Sequence, residues 1–214
     1  MVEVGGTRGR IEKRSAILEA AADVFAAEGF ALASVDDIAA AAGVAKATVY
    51  SHFGDKEGLL RAVLTVEADR AAESNLAAIE RLLHVEGDVD DALRDVGRRL
   101  VDCFCDPKAQ ALRRLVTGEL ARYPDLADLL FGRTPQRVHQ ALADRLLALS
   151  VQGRLVVDDP LTAAEHFGSL LTGSIDARSR LGSRRLPDAE LDAIVESGVR
   201  VFLRAYGATP AAGR

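Results

Sequence analysis

Between Lys46 and His52 the chain carries side chains suited to gripping a polyanion. Lys46 offers an ammonium, Thr48 and Tyr50 offer hydroxyls to phosphate oxygens, and Ser51 and His52 add a further hydroxyl and an imidazole. Ala47 and Ser51 are small enough for a helix backbone to approach base edges closely. Wound as a helix, the run turns Val49 inward with Val44 and Phe53, and leaves Lys46, Ala47, Thr48, Tyr50, Ser51 and His52 outward. An ordinary solvated face explains any one of these positions, but it explains the ordered set poorly. The chemistry expected is contact with phosphates and base edges rather than bond making.

Presenting that face takes two short helices and a sharp turn. Ser34 stands ahead of Val35 as an N-cap, its hydroxyl placed to accept from a free backbone N–H two or three residues on, and it is counted with Lys46 to His52 among the residues expected at the DNA. Val35, Ile38, Ala39 and Ala42 then fall at helical spacing as one apolar stripe. Gly43 permits the positive φ that a tight turn needs. Ser34 to Phe53 therefore predicts a helix-turn-helix whose second helix enters a DNA major groove. Asp36 and Asp37 suit the positive end of the first helix. Lys56, opening the next helix, is expected to join that helix's N-terminal dipole in holding a phosphate. Arg10, with Arg8, Lys13 and Arg14, forms a basic arm able to follow the DNA backbone or reach a minor groove.

Net charge opposes a purely electrostatic grip. The 214 residues carry a formal charge of −5, and the isoelectric point is about 5.4. Residues 1 to 55 alone hold Arg8, Arg10, Lys13, Arg14 and Lys46 against Glu3, Glu12, Glu19, Asp23, Glu28, Asp36, Asp37 and Asp55, a balance of −3. Phosphate attraction supplies most nonspecific affinity, so weak binding to random DNA and dependence on a particular operator are expected. With 49% hydrophobic and 28% charged residues the composition is globular. No apolar run reaches transmembrane length, and the first ten residues lack a signal-peptide core, so a cytoplasmic location is expected.

Thr48-Val49-Tyr50-Ser51-His52-Phe53, followed by Gly54-Asp55-Lys56-Glu57-Gly58-Leu59-Leu60, closely resembles the DNA-binding domain of TetR-type transcriptional regulators. Ahead of it, Ala20 to Phe30 is similar to that family's first helix and its terminating glycine. The resemblance spans roughly residues 10 to 65 and rests on several motifs in order. Ala45 departs from it, standing where the family often has Ser or Thr, so the recognition helix lacks a cap worth about 1 kcal/mol.

The remainder reads as helix throughout, which makes the fold class all-α. The first helix is expected from Ile11 to Glu28, burying Ile17, Ala21, Val24 and Phe25 and ending at Gly29. A long helix from Lys56 carries Leu59, Leu60, Val63 and Leu64 toward Leu83. Gly87-Asp88 breaks it, and Asp88 caps the stretch through Cys105. Asp106-Pro107, Thr134-Pro135 and Asp159-Pro160 each read as a cap followed by proline at the first helical position. Tyr123-Pro124 opens a short helix to Leu130, and Pro187 opens the last, ending near Tyr206. Linkers at Gln152-Gly153-Arg154 and Gly182-Ser183-Arg184-Arg185 separate the final three long helices. The expected organisation is an N-terminal three-helix DNA-binding domain over residues 10–56 and a helical effector-binding and dimerisation domain over residues 57–207.

From Leu112 onward, Arg113 to Glu119, Tyr123 to Leu126, Asp159-Pro160 with Ala164 to Phe167, and Phe202 to Gly207 resemble the C-terminal domain of AefR-type members of the family. That implies a helical domain which makes a dimer and encloses an effector pocket. Phe104, Leu115, Glu119, Tyr123, Phe131, His139, His166, Phe167 and Leu170 are the candidates to line it. An apolar small molecule is expected there, with one polar anchor from Glu119, His139 or His166. For the dimer, Phe167, Leu171 and Ile175 form one stripe, and Leu191, Ile194, Val195, Val199 and Phe202 form another. Two such hairpins about a two-fold axis make a four-helix interface, although the same stripes would also pack inside one chain. A dimer fixes the separation of two recognition helices and hence predicts a palindromic operator.

Little else invites chemistry. Cys103 and Cys105, two apart on a helix, point about 200° from each other and suit core packing better than a shared metal or a disulfide. His52, His84, His139 and His166 are scattered. No Gly-rich phosphate loop, nucleophile elbow or carboxylate pair occurs, so neither a metal, a cofactor nor an enzyme activity is expected. The sequence points to a homodimeric transcriptional repressor that binds double-stranded DNA at a palindromic operator and is released by a small apolar effector, with no membrane partner. The alternatives are a helical ligand carrier or enzyme with an incidental helix-turn-helix, and an activator using the same DNA module.

Overall fold

The computed structural model describes residues 4–85, 87–128 and 132–208, and the regular elements among them are helices. β-type pairing is confined there to an isolated antiparallel bridge between Leu155 and Gly207. Helix α1 (Val4–Leu32) starts well before the expected Ile11, so the basic arm is wound on a helix rather than extended. Its regular geometry breaks at the anticipated glycine, where Gly29 has φ 77° and ψ 172°. Then come α2 (Val35–Ala41), α3 (Lys46–Phe53) and α4 (Lys56–Glu80), the last prolonged by a 3-10 turn at Arg81–His84.

Side-chain caps set several later starts. Asp88 accepts the Asp90 N–H at 3.0 Å and opens α5 (Val89–Phe104). Asp106 accepts from Ala109 N–H at 2.9 Å ahead of α6 (Pro107–Glu119). Asp159 takes the Leu161 and Thr162 N–H groups, each at 3.1 Å, at the start of α8 (Pro160–Thr172). The proline rule misplaces one start. Helix α7 (Arg133–Val151) has Gly132 at its cap position with no side-chain bond, so Thr134-Pro135 lies within the first turn. Tyr123-Pro124 opens a 3-10 turn, Pro124–Leu126. Helix α8 also stops short of the Gly182 linker. The chain turns at Gly173-Ser174, forms the single-turn α9 (Ile175–Arg178), and passes through positive φ at Arg180 and Leu181 before α10 (Asp188–Tyr206).

The chain divides into two compact units, one from Met1–Asp69 with Ala111–Leu130, the other from Arg70–Gln110 with Phe131–Arg214. The first unit is discontinuous in sequence. Its core joins Ile17, Phe25, Ile38, Val49, Leu59 and Leu60 to Leu112, Val116 and Leu126.

The second unit's core corrects one expectation. Phe167, Leu171, Ile175, Leu191, Ile194, Val195, Val199 and Phe202, the stripes expected at a dimer interface, are all buried inside this chain, none more than 6% exposed. The physical reason is close helix packing around Leu171. A Cβ built on Gly97 of α5 would lie 3.4 Å from both Leu171 methyls, and one on Gly198 of α10 would lie 3.1 Å from Leu171 Cδ2 and 3.2 Å from the Leu170 carbonyl. Glycine at these two places lets α5, α8 and α10 converge, and interiors packed to crystal-like density leave no room for more. Phe167 and Phe202 meet edge to face in the same layer, centroids 5.0 Å apart. Outside it, Arg94 pairs with Asp90, Asp91 and Glu196, and Arg98 with Asp102, Asp188 and Asp192, lacing α5 to α10. No helix among the described residues is long and apolar enough to cross a membrane.

Candidate nucleic-acid interface

The reading head is built by local rules that place α3 at a fixed angle to α2. Ser34 Oγ accepts the Asp36 N–H at 3.1 Å, satisfying one of the donors orphaned at the start of α2. Val35, Ile38 and Ala39 bury the inner face. At the other end Gly43 adopts φ 66°. Its N–H donates to the Ala40 carbonyl at 3.2 Å while Val44 N–H donates to Ala39 at 3.0 Å. That crossed pair is a Schellman motif, which needs the left-handed residue that glycine supplies. Helix α3 then starts from Ala45, extended at φ −73° and ψ 145°, with no side-chain cap bond. It ends at Gly54, φ 79°.

Val49 is buried beneath α3, and Val44 and Phe53 pack partly buried on the same core. Lys46, Ala47, Tyr50 and Ser51 are exposed, Tyr50 at 42%, while Thr48 and His52 are half-buried. The structure thus brings the predicted set to one surface, with two modifications. Ser51 Oγ donates to the Thr48 carbonyl at 3.2 Å, leaving its lone pairs outward. Lys46 Nζ donates to Asp36 Oδ2 at 2.8 Å. That hydrogen bond to Asp36, despite some opposing desolvation, holds the Lys46 ammonium above its ordinary range.

Around this helix the cations are arranged differently from expectation. Lys56 Nζ donates to the Ala31 carbonyl at 3.4 Å and lies 4.8 Å from the Phe30 ring centroid. The start of α4 beside it is capped by Asp55, whose Oδ1 accepts the Gly58 N–H at 2.6 Å. A phosphate gripped jointly by Lys56 and that helix dipole, the role expected of this end, would therefore meet a carboxylate nearby. Arg10 is exposed on α1, and Arg14, one turn further, stacks over Phe53 at 5.5 Å. Sequence reasoning counted Arg14 only as arm charge. Its place beside the end of α3 was signalled by nothing more than the i, i+4 spacing from Arg10.

The residues expected to line an effector pocket divide between the units. Leu115, Glu119 and Tyr123 belong to the first and are half-buried. Tyr123 packs edge-on to Phe30 at 5.9 Å and donates to Glu57 Oε1 at 3.1 Å. Burial and then this bond to Glu57 push its hydroxyl pKa up. Arg61 anchors the adjoining turn through Asp125 at 2.8 Å. Phe104, His139, His166, Phe167 and Leu170 lie in the second unit. Phe167 is core, Phe104 and Leu170 are half-buried, and His139 and His166 are exposed, the latter with Nδ1 2.6 Å from Tyr206 Oη. Phe131 lies outside the described residues. Two polar atoms escaped sequence reasoning: Asn75 Oδ1 and Arg145 Nε are buried with no hydrogen-bond partner among the described residues. Their signal was faint, one amide and one guanidinium on otherwise apolar helix faces. A surface cleft of about 520 Å³ between the end of α4 and the start of α5 is lined by Glu80, Arg81, Asp88, Asp91 and Asp95 among others, and by none of the predicted pocket residues.

Two stretches of the chain match known protein families. Residues 17–63 match the family described as bacterial regulatory proteins, tetR family, and residues 91–208 match the AefR-like transcriptional repressor C-terminal domain. An HTH-type transcriptional repressor of Mycobacterium tuberculosis is 36% identical over 132 residues, 60% of this chain and 62% of that protein. The chain thus spans less than two thirds of that relative's length. A TetR-family regulator from Mesorhizobium loti superposes with a TM-score of 0.85 at 29% identity, covering 92% of this chain and 98% of that one. The flavonoid-responsive regulator FrrA superposes at 0.64 with 31% identity, over 92% of this chain and 98% of its own.

Proposed function

We propose, from the premise that this chain belongs to the TetR family of bacterial transcriptional regulators, that it is a homodimeric cytoplasmic repressor released from a palindromic operator by a small apolar effector. The observation that carries this is the exposed face of α3. Lys46, Ala47, Thr48, Tyr50 and Ser51 stand on an eight-residue helix whose other side is fixed in a core, the arrangement a major-groove reader requires. Residues 10–56 act as the DNA-binding domain and residues 57–207 as the effector-binding and dimerisation domain. Arg10 and Arg14 supply backbone contacts beside α3.

The dimer face is the outer side of α10, since its inner stripe is core. Ala193, Ser197, Val201 and Ala205 recur there at helical spacing and are exposed, Val201 at 44%. Their small side chains let a partner helix approach closely. The effector occupies the second unit, where the buried polar atoms of Asn75 and Arg145 give it polar anchors better placed than the exposed His139 and His166. A flavonoid is the first probe to try, because the similar FrrA is flavonoid-responsive. Effector binding need only favour a dimer with mis-spaced reading heads by a few kcal/mol to empty the operator.

Selection of fragments from a random DNA pool by the purified chain tests the assignment. Enrichment of an inverted repeat is expected, with affinity for it lowered about fivefold in Tyr50→Phe. Recovery of no common sequence overturns it, and a transcription reporter driven by the selected site separates repression from activation.

A further inference from the structure

We propose that Asp36 is a specificity-determining residue, which keeps Lys46 from phosphates at random sites and yields it only when an operator phosphate takes its place. This rests on the DNA-binding assignment above and adds a charge-based control to that same surface. Lys46 is the only Lys or Arg between Ser34 and Phe53, and Asp36 is one of two carboxylates there. The two side chains meet at 2.8 Å across the turn, 49% and 66% exposed. A pair so wet is weak and exchangeable rather than a structural lock.

The partners of the neighbouring cations differ in kind. Lys56 contacts a neutral carbonyl and a ring, and Arg14 a ring, so neither has a carboxylate as its direct partner in these contacts. Lys46, by contrast with Lys56 and Arg14, is neutralised by a carboxylate, and Lys46 is the cation on the reading helix itself. It also sits at the first turn of α3, whose N–H groups have no side-chain cap from Ala45 and therefore favour an anion. Moving Lys46 to a phosphate strips Asp36 of its partner and leaves a carboxylate near the DNA. A loosely seated duplex gives little in return for that exchange. An operator that seats α3 fully adds base-edge contacts and drives it. Asp36 thus suppresses sequence-independent binding, the part of affinity that carries no information.

The test uses the full chain with Asp36→Asn, Lys46→Gln and the double variant. Fluorescence anisotropy follows binding to a random-sequence duplex and to the operator the chain selects, over a range of salt. Asp36→Asn should tighten the random duplex about three- to tenfold at low salt and steepen the slope of log affinity against log salt by about 0.9, the value of one added phosphate contact. Operator affinity should rise less, so that the ratio between the two narrows, and in the Lys46→Gln background the gain should fall below about twofold. An unchanged random-duplex affinity and slope, equal tightening of both duplexes, or the same gain without Lys46 would each overturn the proposal. Circular dichroism checks the fold, and Asp36→Ser replaces Asp36→Asn if the latter unfolds. Failure of the unaltered chain to bind any duplex overturns the DNA-binding assignment and this proposal together. Operator binding with a flat Asp36→Asn response overturns this proposal alone.

Discussion

Replacing Phe202 by alanine removes a ring that is fully buried, edge-on to Phe167 at 5.0 Å and tilted against Tyr206 at 4.7 Å. Loss of a buried phenylalanine ring costs about 3–5 kcal/mol, of which each aromatic contact accounts for about 0.5–1.5 kcal/mol. Domains of this kind hold only about 5–15 kcal/mol in total, so the change consumes a large fraction of it. With a urea slope of about 2 kcal/mol/M, the unfolding midpoint should fall by roughly 1.5–2.5 M. Dimerisation makes stability depend on concentration, so the titration is run at two protein concentrations alongside sedimentation equilibrium. The same fall is expected at both. A Phe202→Ala protein that keeps the original midpoint yet sediments as a monomer would refute the core placement and return this stripe to the subunit interface. Val201→Glu, on the opposite side of α10, should do the reverse, leaving the fold intact and lowering the mass.

Ser34→Ala removes the acceptor for the Asp36 N–H and should cost about 1 kcal/mol in denaturant titrations; no measurable loss would contradict the cap. Ala45→Ser places a hydroxyl where the backbone already has cap geometry, and should stabilise by about 0.5–1 kcal/mol; a lowered midpoint would mean that the turn cannot accommodate it. Tyr50→Phe deletes one exposed hydroxyl and should weaken operator binding about fivefold with an unchanged melting curve, as anisotropy would report. Hydrogen bonds from Thr162 hold the Asp159 carboxyl below its ordinary range, and a hydrogen bond from Arg61 does the same for Asp125. Their contribution is therefore complete above the unfolded carboxylate value of about 3.9 and is lost as pH falls through the lower native values. Unfolding midpoints between pH 6 and pH 3 should drop more steeply for the unaltered chain than for Asp159→Asn or Arg61→Gln, and parallel curves would refute this.

Features set by neighbours in sequence were the legible ones. Ser34, Gly43, Asp88, Asp106 and Asp159 act on backbone groups two to five residues away, so residue type and spacing suffice to place them. The missing cap at Ala45 was equally plain. Features set by tertiary partners were not. A stripe such as Leu171 with Phe167 announces burial without saying against what, and only the approach of Gly97 and Gly198 decides for the chain's own interior. The Lys46–Asp36 pair needs the crossing angle of two helices, which no periodicity encodes. The Asp55 cap at the start of α4 is one local bond that sequence reading overlooked. The early start of α1 reflects weak boundary signals, since Val4 to Arg10 contains neither a cap motif nor an apolar stripe.

The discontinuous first unit bears on how the protein is made and re-engineered. Ile17, Phe25 and Leu60 leave the ribosome well before Leu112, Val116 and Leu126, which complete the same core. During synthesis the nascent reading head therefore waits with apolar surface uncovered, and a chaperone has a reason to attend it. A chimera that transplants this operator preference onto another regulator has to carry both stretches, because a cut at the end of the helix-turn-helix would leave the donor head without its later-made wall.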